Sequence, residues 1–146
     1  MATERLELRR AAEDLGYVER LLAENDLPTA DVKSKPDCFY VGRACEEPIG
    51  VGGLERYGAE GLVRSLVVEE SHRDRGWGTE LYDALEAEAK AAGVEALYLL
   101  TTTAAEFFAD RGFEEIGRAE APPSIRDTAE FDELCPSSAT CMRKRL

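Results

Sequence analysis

The stretch Leu62-Val63-Arg64-Ser65-Leu66-Val67-Val68, followed four residues later by Arg73-Asp74-Arg75-Gly76-Trp77-Gly78, decides how this chain is read. The first part is an apolar run rich in branched residues, as in a buried strand. The second is polar and carries two glycines. From Thr79 an amphipathic helical pattern begins, with Leu81, Leu85, Glu88 and Ala92 in step, and Gly93 suits its C-cap. A strand therefore meets a glycine-rich turn that opens a helix. The N–H groups at a helix start have no partners one turn earlier, and the helix dipole favours an anion there. Gly76 and Gly78 let a phosphate approach the backbone. Arg73 and Arg75 add positive charge. A diphosphate suits such a turn. A nucleotide P-loop is excluded because no Gly-Lys-Ser/Thr ending follows. A dinucleotide fingerprint is incomplete, since only Gly76-Trp77-Gly78 matches and it lies mid-chain.

Outward from this stretch, Leu6 and Leu8 alternate with charges as a short strand. Ala11 to Glu24 places Ala12, Leu15, Val18, Leu21 and Leu22 at helical spacing, and Asn25 and Pro28 end that helix. Thr29 to Val32 reads as a further helical turn. Phe39-Tyr40-Val41 and Ile49 to Glu55 form a strand pair about a turn at Glu46-Glu47-Pro48. Gly50, Gly52 and Gly53 allow a bulge or a close backbone approach. Tyr57 to Gly61 turns the chain into the Leu62 to Val68 strand. Leu97 to Leu100 is a buried strand and Ala104 to Arg111 a short helix, after which Gly112-Phe113 opens another strand. Ala121 to Pro136 reads as loop with a helical turn from Ile125 to Leu134, and Thr140 to Arg143 as a last strand. The order β-α-(α)-β-β-β-α-β-α-β-β predicts one α/β domain over residues 1–146, a mixed sheet with helices on both faces.

The 146 residues are 44% hydrophobic, enough for a core. Asp and Glu total 30 against 18 Lys and Arg, a net charge of −12. Nucleic acid is excluded as a partner, because a phosphate backbone needs a basic face. No apolar run approaches a membrane span, and Met1 to Arg5 lacks the apolar segment of a signal peptide, so a soluble cytoplasmic protein is expected. The lysines are only Lys33, Lys35, Lys90 and Lys144. An acidic, lysine-poor surface predicts adaptation to high salt, where self-repulsion is screened. Cys38, Cys45, Cys135 and Cys141 form no C-x-x-C, and with the lone His72 they make no metal site, so reduced thiols and no metal are expected.

The Arg-x-x-Gly-x-Gly loop after a Leu-Val-Val strand, with Arg111-Gly112-Phe113 behind the later helix, resembles the GNAT N-acetyltransferases over nearly the whole chain. The resemblance implies a mostly antiparallel sheet whose strands Leu62 to Val68 and Leu97 to Leu100 splay apart. It implies acetyl-CoA as acyl donor, with backbone groups of Leu66, Val67 and Val68 on the pantetheine arm. The loop of Arg73, Asp74, Arg75, Gly76, Trp77, Gly78 and Thr79 would hold the diphosphate, and Thr101, Phe107 and Phe108 would lie further along the donor. A small-molecule amine is the implied acceptor and a homodimer the implied assembly. Two positions depart from the family pattern. Its frequent tyrosine is Phe108 here, which carries no proton for the leaving thiolate. Its frequent asparagine is Thr101.

Acetyl transfer needs a neutral amine, a polarised thioester carbonyl and an exit for the thiolate. Glu55 and Glu60 are candidates for the base. Tyr57, Ser65, Ser137, Ser138 and the thiols of Cys135 and Cys141 are candidates for the missing acid. In strict alternation Leu62, Arg64, Leu66 and Val68 share one face. An arginine among apolar neighbours must find an anion or reach water. Arg64 therefore either clamps a substrate anion or forms an internal salt bridge, and Arg126 is a second candidate anion contact.

A narrower resemblance joins Gly53-Leu54-Glu55, Tyr57-Gly58, Leu62 to Leu66, Tyr98 to Thr103 and Cys135 to Met142 to small acetyltransferases associated with arsenic-resistance operons. It implies acetylation of an amino-acid-like organoarsenical or phosphinate. Two alternatives differ in class: arsenite held by the Cys135 and Cys141 thiols, and an acyl-CoA-binding domain without catalysis, which Phe108 would favour.

Overall fold

The structure is a computed structural model that describes residues 6–27, 29–30, 32–44, 47–73, 75–128 and 139–146. Its strands are β1 (Glu7–Arg10), β2 (Phe39–Ala44), β3 (Glu47–Tyr57), β4 (Glu60–Val68), β5 (Ala96–Thr101), β6 (Glu114–Ile116) and β7 (Thr140–Arg145). Its helices are α1 (Leu15–Glu24), α2 (Trp77–Ala91), α3 (Ala105–Asp110) and α4 (Pro123–Arg126). The strands form one sheet in the order β1-β2-β3-β4-β5-β7-β6. The β1–β2, β2–β3, β5–β7 and β6–β7 pairs are antiparallel and β4–β5 is parallel. This is the expected mixed, mostly antiparallel sheet. The β4–β5 ladder holds three pairs, Glu60, Gly61 and Leu62 against Ala96, Leu97 and Tyr98. Beyond Tyr98, β5 continues its pairing with β7 alone, through Thr101 against Thr140.

The chain divides into two compact units, one of Met1–Leu54 and Ser65–Glu88, the other of Glu55–Arg64 and Ala89–Leu146. In the first unit, Val18, Leu21 and Leu22 of α1 pack with Phe39, Val41, Val51 and Val67. The intervening strand positions are glycines that receive α2. A Cβ on Gly42 would lie 2.9 Å from Leu81, and one on Gly52 would lie 2.5 Å from Leu85. Side chains alternate across a strand, so α1 covers the Val41 and Val51 face and α2 the Gly42 and Gly52 face. The expected helices on both faces follow from this alternation of bulk and glycine. In the second unit, Leu62, Tyr98, Ile116, Ala121, Ile125 and Cys141 form the core.

Three boundaries differ from the sequence expectation. The helix expected from Ala11 starts at Leu15. Ala11 donates its N–H to the Phe39 carbonyl (2.8 Å), and Ala12 has φ +29°, so these residues extend the sheet edge before the helix can begin. Pro48 lies inside β3, where a register shift at Gly42/Arg43 sets it opposite Arg43, the sort of irregularity that tolerates proline. The helical turn expected over Ile125 to Leu134 ends at Arg126, and its last residues, 129–134, lie outside the described residues, as do Cys45, Asp74, Cys135, Ser137 and Ser138. Among the described residues no helix is long and apolar enough to cross a membrane.

Candidate active site

Ser65 interrupts β4. Its φ of +58° lies in the left-handed region, which costs a serine roughly 1 kcal/mol or more and persists only where the surroundings enforce it. One left-handed residue breaks the two-residue alternation of a strand. The expected shared face of Leu62, Arg64, Leu66 and Val68 is therefore corrected: after Ser65 the pattern restarts. Leu66 then lies beside the Gly52 and Leu85 contact, and Val67 joins the α1 core.

The backbone of Leu66 to Val68 divides its duties. A Cβ on Gly50 of β3 would sit 2.2 Å from the Val67 carbonyl oxygen, and the Glu69 N–H donates to the Ile49 carbonyl at 2.7 Å. Peptide groups alternate in direction along a strand, so Val67 and Glu69 turn toward β3 and Leu66 and Val68 turn away. Of the three residues expected along a pantetheine arm, Val67 is thus committed to β3. The Val68 carbonyl in turn accepts the Arg73 Nε–H at 3.1 Å.

The loop then delivers the start of α2. Gly76 has φ +82°, and nothing lies within 4 Å of the position its Cβ would take. The backbone requires glycine, and the space beside it is open. The Glu80 N–H reaches the Gly76 carbonyl (3.3 Å), so the amides of Trp77 and Gly78 precede the ladder of α2. The Trp77 indole packs with Ala44 and Ile49, which leaves its amide as the group available to an anion. Arg75 is exposed. Arg73, expected to face a diphosphate, donates from Nη2 to Asn25 Oδ1 at 2.7 Å.

On the α1 side of this loop an open cleft of about 740 Å³ is lined by Glu24, Asn25, Glu69, Glu70 and Arg73, among others. Three carboxylates against one guanidinium make its wall unsuited to a diphosphate. The Tyr17 hydroxyl donates to Glu69 Oε1 at 2.6 Å, and burial, then that hydrogen bond, hold the phenol far above its ordinary range. His72 faces Glu47 through Nε2 (3.4 Å). Sequence reasoning missed Asn25 and the Tyr17–Glu69 pair, and no spacing signal marks partners 48 and 52 residues apart.

In the other unit the structure brings three candidates together. Arg64 Nη1 and Glu55 Oε2 lie 3.0 Å apart with side chains 0% and 1% exposed, and the Tyr57 hydroxyl donates to Glu55 Oε1. Of the two readings of Arg64, the geometry is that of the internal salt bridge. Glu55, a candidate base, is the partner that neutralises it, and Tyr57, a candidate acid, donates its hydroxyl hydrogen bond to that same carboxylate. Arg126 is exposed at the end of α4. Thr101 Oγ1 accepts the Ala104 N–H at 3.0 Å and so shapes the entry to α3. Phe108 is buried, edge-on to Phe107 and Phe113 with centroids 5.1 and 5.6 Å away, the geometry of a core aromatic. Cys141 is buried in the Leu62 core, and burial pushes its thiol up to about 11. Among the described residues no cluster of three His, Cys, Asp or Glu could hold a metal ion.

The comparisons with known proteins agree with this fold. The chain is 39% identical over 62 residues to an amino-acid acetyltransferase of Azotobacter vinelandii and 43% identical over 66 residues to one of Ectopseudomonas mendocina, covering 42% and 45% of this chain. The matched segments span 14% and 15% of those relatives, a small part of their length. The fold matches N-acetylglutamate synthase from Neisseria gonorrhoeae, complexed with coenzyme A and L-arginine, with a TM-score of 0.83 at 21% identity, over 99% of this chain and 34% of that one. It also matches an acetyltransferase from Staphylococcus aureus with a TM-score of 0.71 at 17% identity, over 97% of this chain and 99% of that one. A family model described as acetyltransferase (GNAT) matches residues 5–113, well over half of the chain, and the chain belongs to that family of acetyltransferase enzymes.

Proposed function

We propose that the protein transfers the acetyl group of acetyl-CoA to the primary amine of a small, amino-acid-like molecule. The observation that carries this reading is the β4–loop–α2 turn, where Gly76, in the left-handed region with open space beside it, opens a helix whose first amides precede the hydrogen-bond ladder. The amides of Trp77 and Gly78 and the exposed Arg75 suit a diphosphate there, and the outward backbone groups of Leu66 and the Val68 N–H suit a pantetheine arm, the Val68 carbonyl being bonded to Arg73. Acetyl-CoA, when bound, supplies an activated thioester. Phe108 has no proton to give, so the thiolate leaves without a phenol at that position, as an acidic thiol can. The amino-acid character of the acceptor rests on the partial match to amino-acid acetyltransferases. With Arg64 neutralised by Glu55, the exposed Arg126 is the other of the two candidate arginines for an acceptor carboxylate or oxyanion.

The arsenite alternative is disfavoured, because a soft ion needs thiolates and Cys141 is a buried thiol with its pKa pushed up to about 11. Organoarsenical and phosphinate amino acids remain worthwhile acceptors, since they carry both an amine and an oxyanion. Calorimetric titration with acetyl-CoA, followed by coenzyme A release with a panel of amino acids and their phosphinate analogues, tests the proposal. Binding with amine-dependent thiol release is expected. Binding without turnover on any amine would favour a non-catalytic acyl-CoA module, and no binding by folded protein would end the donor assignment.

A further inference from the structure

Asn25, the C-cap of α1, makes two side-chain hydrogen bonds of opposite sense. Its Nδ2 donates to the Leu21 carbonyl at 2.9 Å, and its Oδ1 accepts from Arg73 Nη2 at 2.7 Å. Arg73 in turn donates from Nε to the Val68 carbonyl at 3.1 Å. The result is a relay from the last turn of α1, through one amide and one guanidinium, to the final residue of β4. It brackets residues 69–72 and ends where the glycine turn begins. The amide orientation is forced by its neighbours: a flipped Asn25 would set its NH₂ against the guanidinium and its oxygen against the Leu21 carbonyl. The chain around it is equally defined. The Asn25 N–H donates to the Leu22 carbonyl, the Leu27 N–H does the same, and Asp26 holds φ +57°.

We propose that Asn25 is a positioning residue for the donor loop, acting through Arg73, and that Arg73 serves as a strut and not as a diphosphate ligand. The claim rests on the acetyl-CoA reading above for its kinetic consequence, but its structural half does not. Arg73 uses two faces of its guanidinium, Nε and Nη2, on two fixed acceptors. A lysine has one point charge and cannot span both. Its substitution therefore separates the two roles: Arg73→Lys preserves charge and loses the strut.

The test pairs hydrogen exchange on the ligand-free protein with steady-state kinetics on the variants Asn25→Leu, Asn25→Asp and Arg73→Lys. Asn25→Leu keeps the side-chain volume and removes both hydrogen bonds. It should speed amide exchange across residues 69–78 while leaving β2 unchanged, and raise KM for acetyl-CoA about three- to tenfold at nearly constant kcat, the loss expected for one charge-assisted bond near the surface. Asn25→Asp retains the acceptor for Arg73 but loses the donor to the Leu21 carbonyl, and should fall between wild type and Asn25→Leu in both readouts. Arg73→Lys should behave like Asn25→Leu, and combining the two should add little. Unchanged loop exchange in Asn25→Leu overturns the proposal whether or not acetyl-CoA binds. A normal KM in Arg73→Lys with a raised one in Arg73→Ala also overturns it, since charge alone would then suffice. If wild type fails to bind acetyl-CoA, the donor reading falls, while accelerated loop exchange in Asn25→Leu would still support the strut.

Discussion

Replacing Arg64 with methionine should unfold this protein more readily than it alters substrate recognition. The Arg64 and Glu55 side chains are 0% and 1% exposed, with Nη1 and Oε2 3.0 Å apart. Removing the guanidinium leaves a carboxylate in a dry strand pair, facing the Tyr57 hydroxyl. Breaking a buried pair from one side costs about 3–5 kcal/mol, because the surviving charge keeps its desolvation penalty and loses its compensation. Domains of this size hold about 5–15 kcal/mol in all. At about 2–4 °C per kcal/mol the melting temperature should fall by roughly 6–20 °C. The double variant Glu55→Gln/Arg64→Met removes both charges and should recover most of that loss. The assay is a thermal melt followed by circular dichroism at fixed salt, beside KM for the amine from coenzyme A release. An Arg64→Met protein that melts with wild type but shows a KM for the amine raised tenfold or more would refute this reasoning and return Arg64 to the role of a substrate clamp.

Gly76→Asp should abolish measurable acetyl-CoA binding in calorimetry: the left-handed φ of +82° strains any side chain, and the carboxylate would enter the space proposed for the diphosphate. Gly50→Ala should lower stability by several kcal/mol in a denaturant melt, since its Cβ would meet a backbone oxygen at 2.2 Å that no rotamer can move. Cys141 binds its proton more tightly folded than unfolded, with pKa raised from 9.0 to about 11. Its contribution is therefore complete below pH 9 and lost as pH rises through about 11. Urea melts at pH 8 and pH 11 should show that decline in wild type and a smaller one in Cys141→Ala.

The parts of the fold legible in the sequence are those whose signal is local. The apolar run before Arg73, the period from Leu81 to Ala92 and the glycine after each marked β4, α2 and the loop between them, and the structure has all three. The start of α1 was not local: Ala11 belongs to the sheet because Phe39, far along the chain, accepts its N–H. The Arg64–Glu55 pair was partly legible. A turn closing Tyr57 onto Glu60 sets Glu55 opposite Leu62, with Arg64 diagonal to it, which is within reach of long side chains. What hid the rest was Ser65. Nothing in its identity announces a left-handed residue, so alternation carried through it misassigns every later face. Asn25 and Arg73 were each visible, one as a helix end and the other as a loop cation, but only the fold joins them.

The commitment of Arg73 to Asn25 and Val68 has a kinetic consequence. That guanidinium keeps its charge but cannot swing toward a ligand, and the carboxylates of Glu24, Glu69 and Glu70 outnumber it around the cleft on a chain of net charge −12. A polyanionic donor therefore approaches uphill until it is close enough to meet the α2 amides. Electrostatic steering normally makes association slower as salt is added. Here the sign should reverse: added salt, by shortening the reach of the protein's own field to about 10 Å at 0.1 M, should speed the encounter, and the dissociation rate, set by contacts at short range, should change much less.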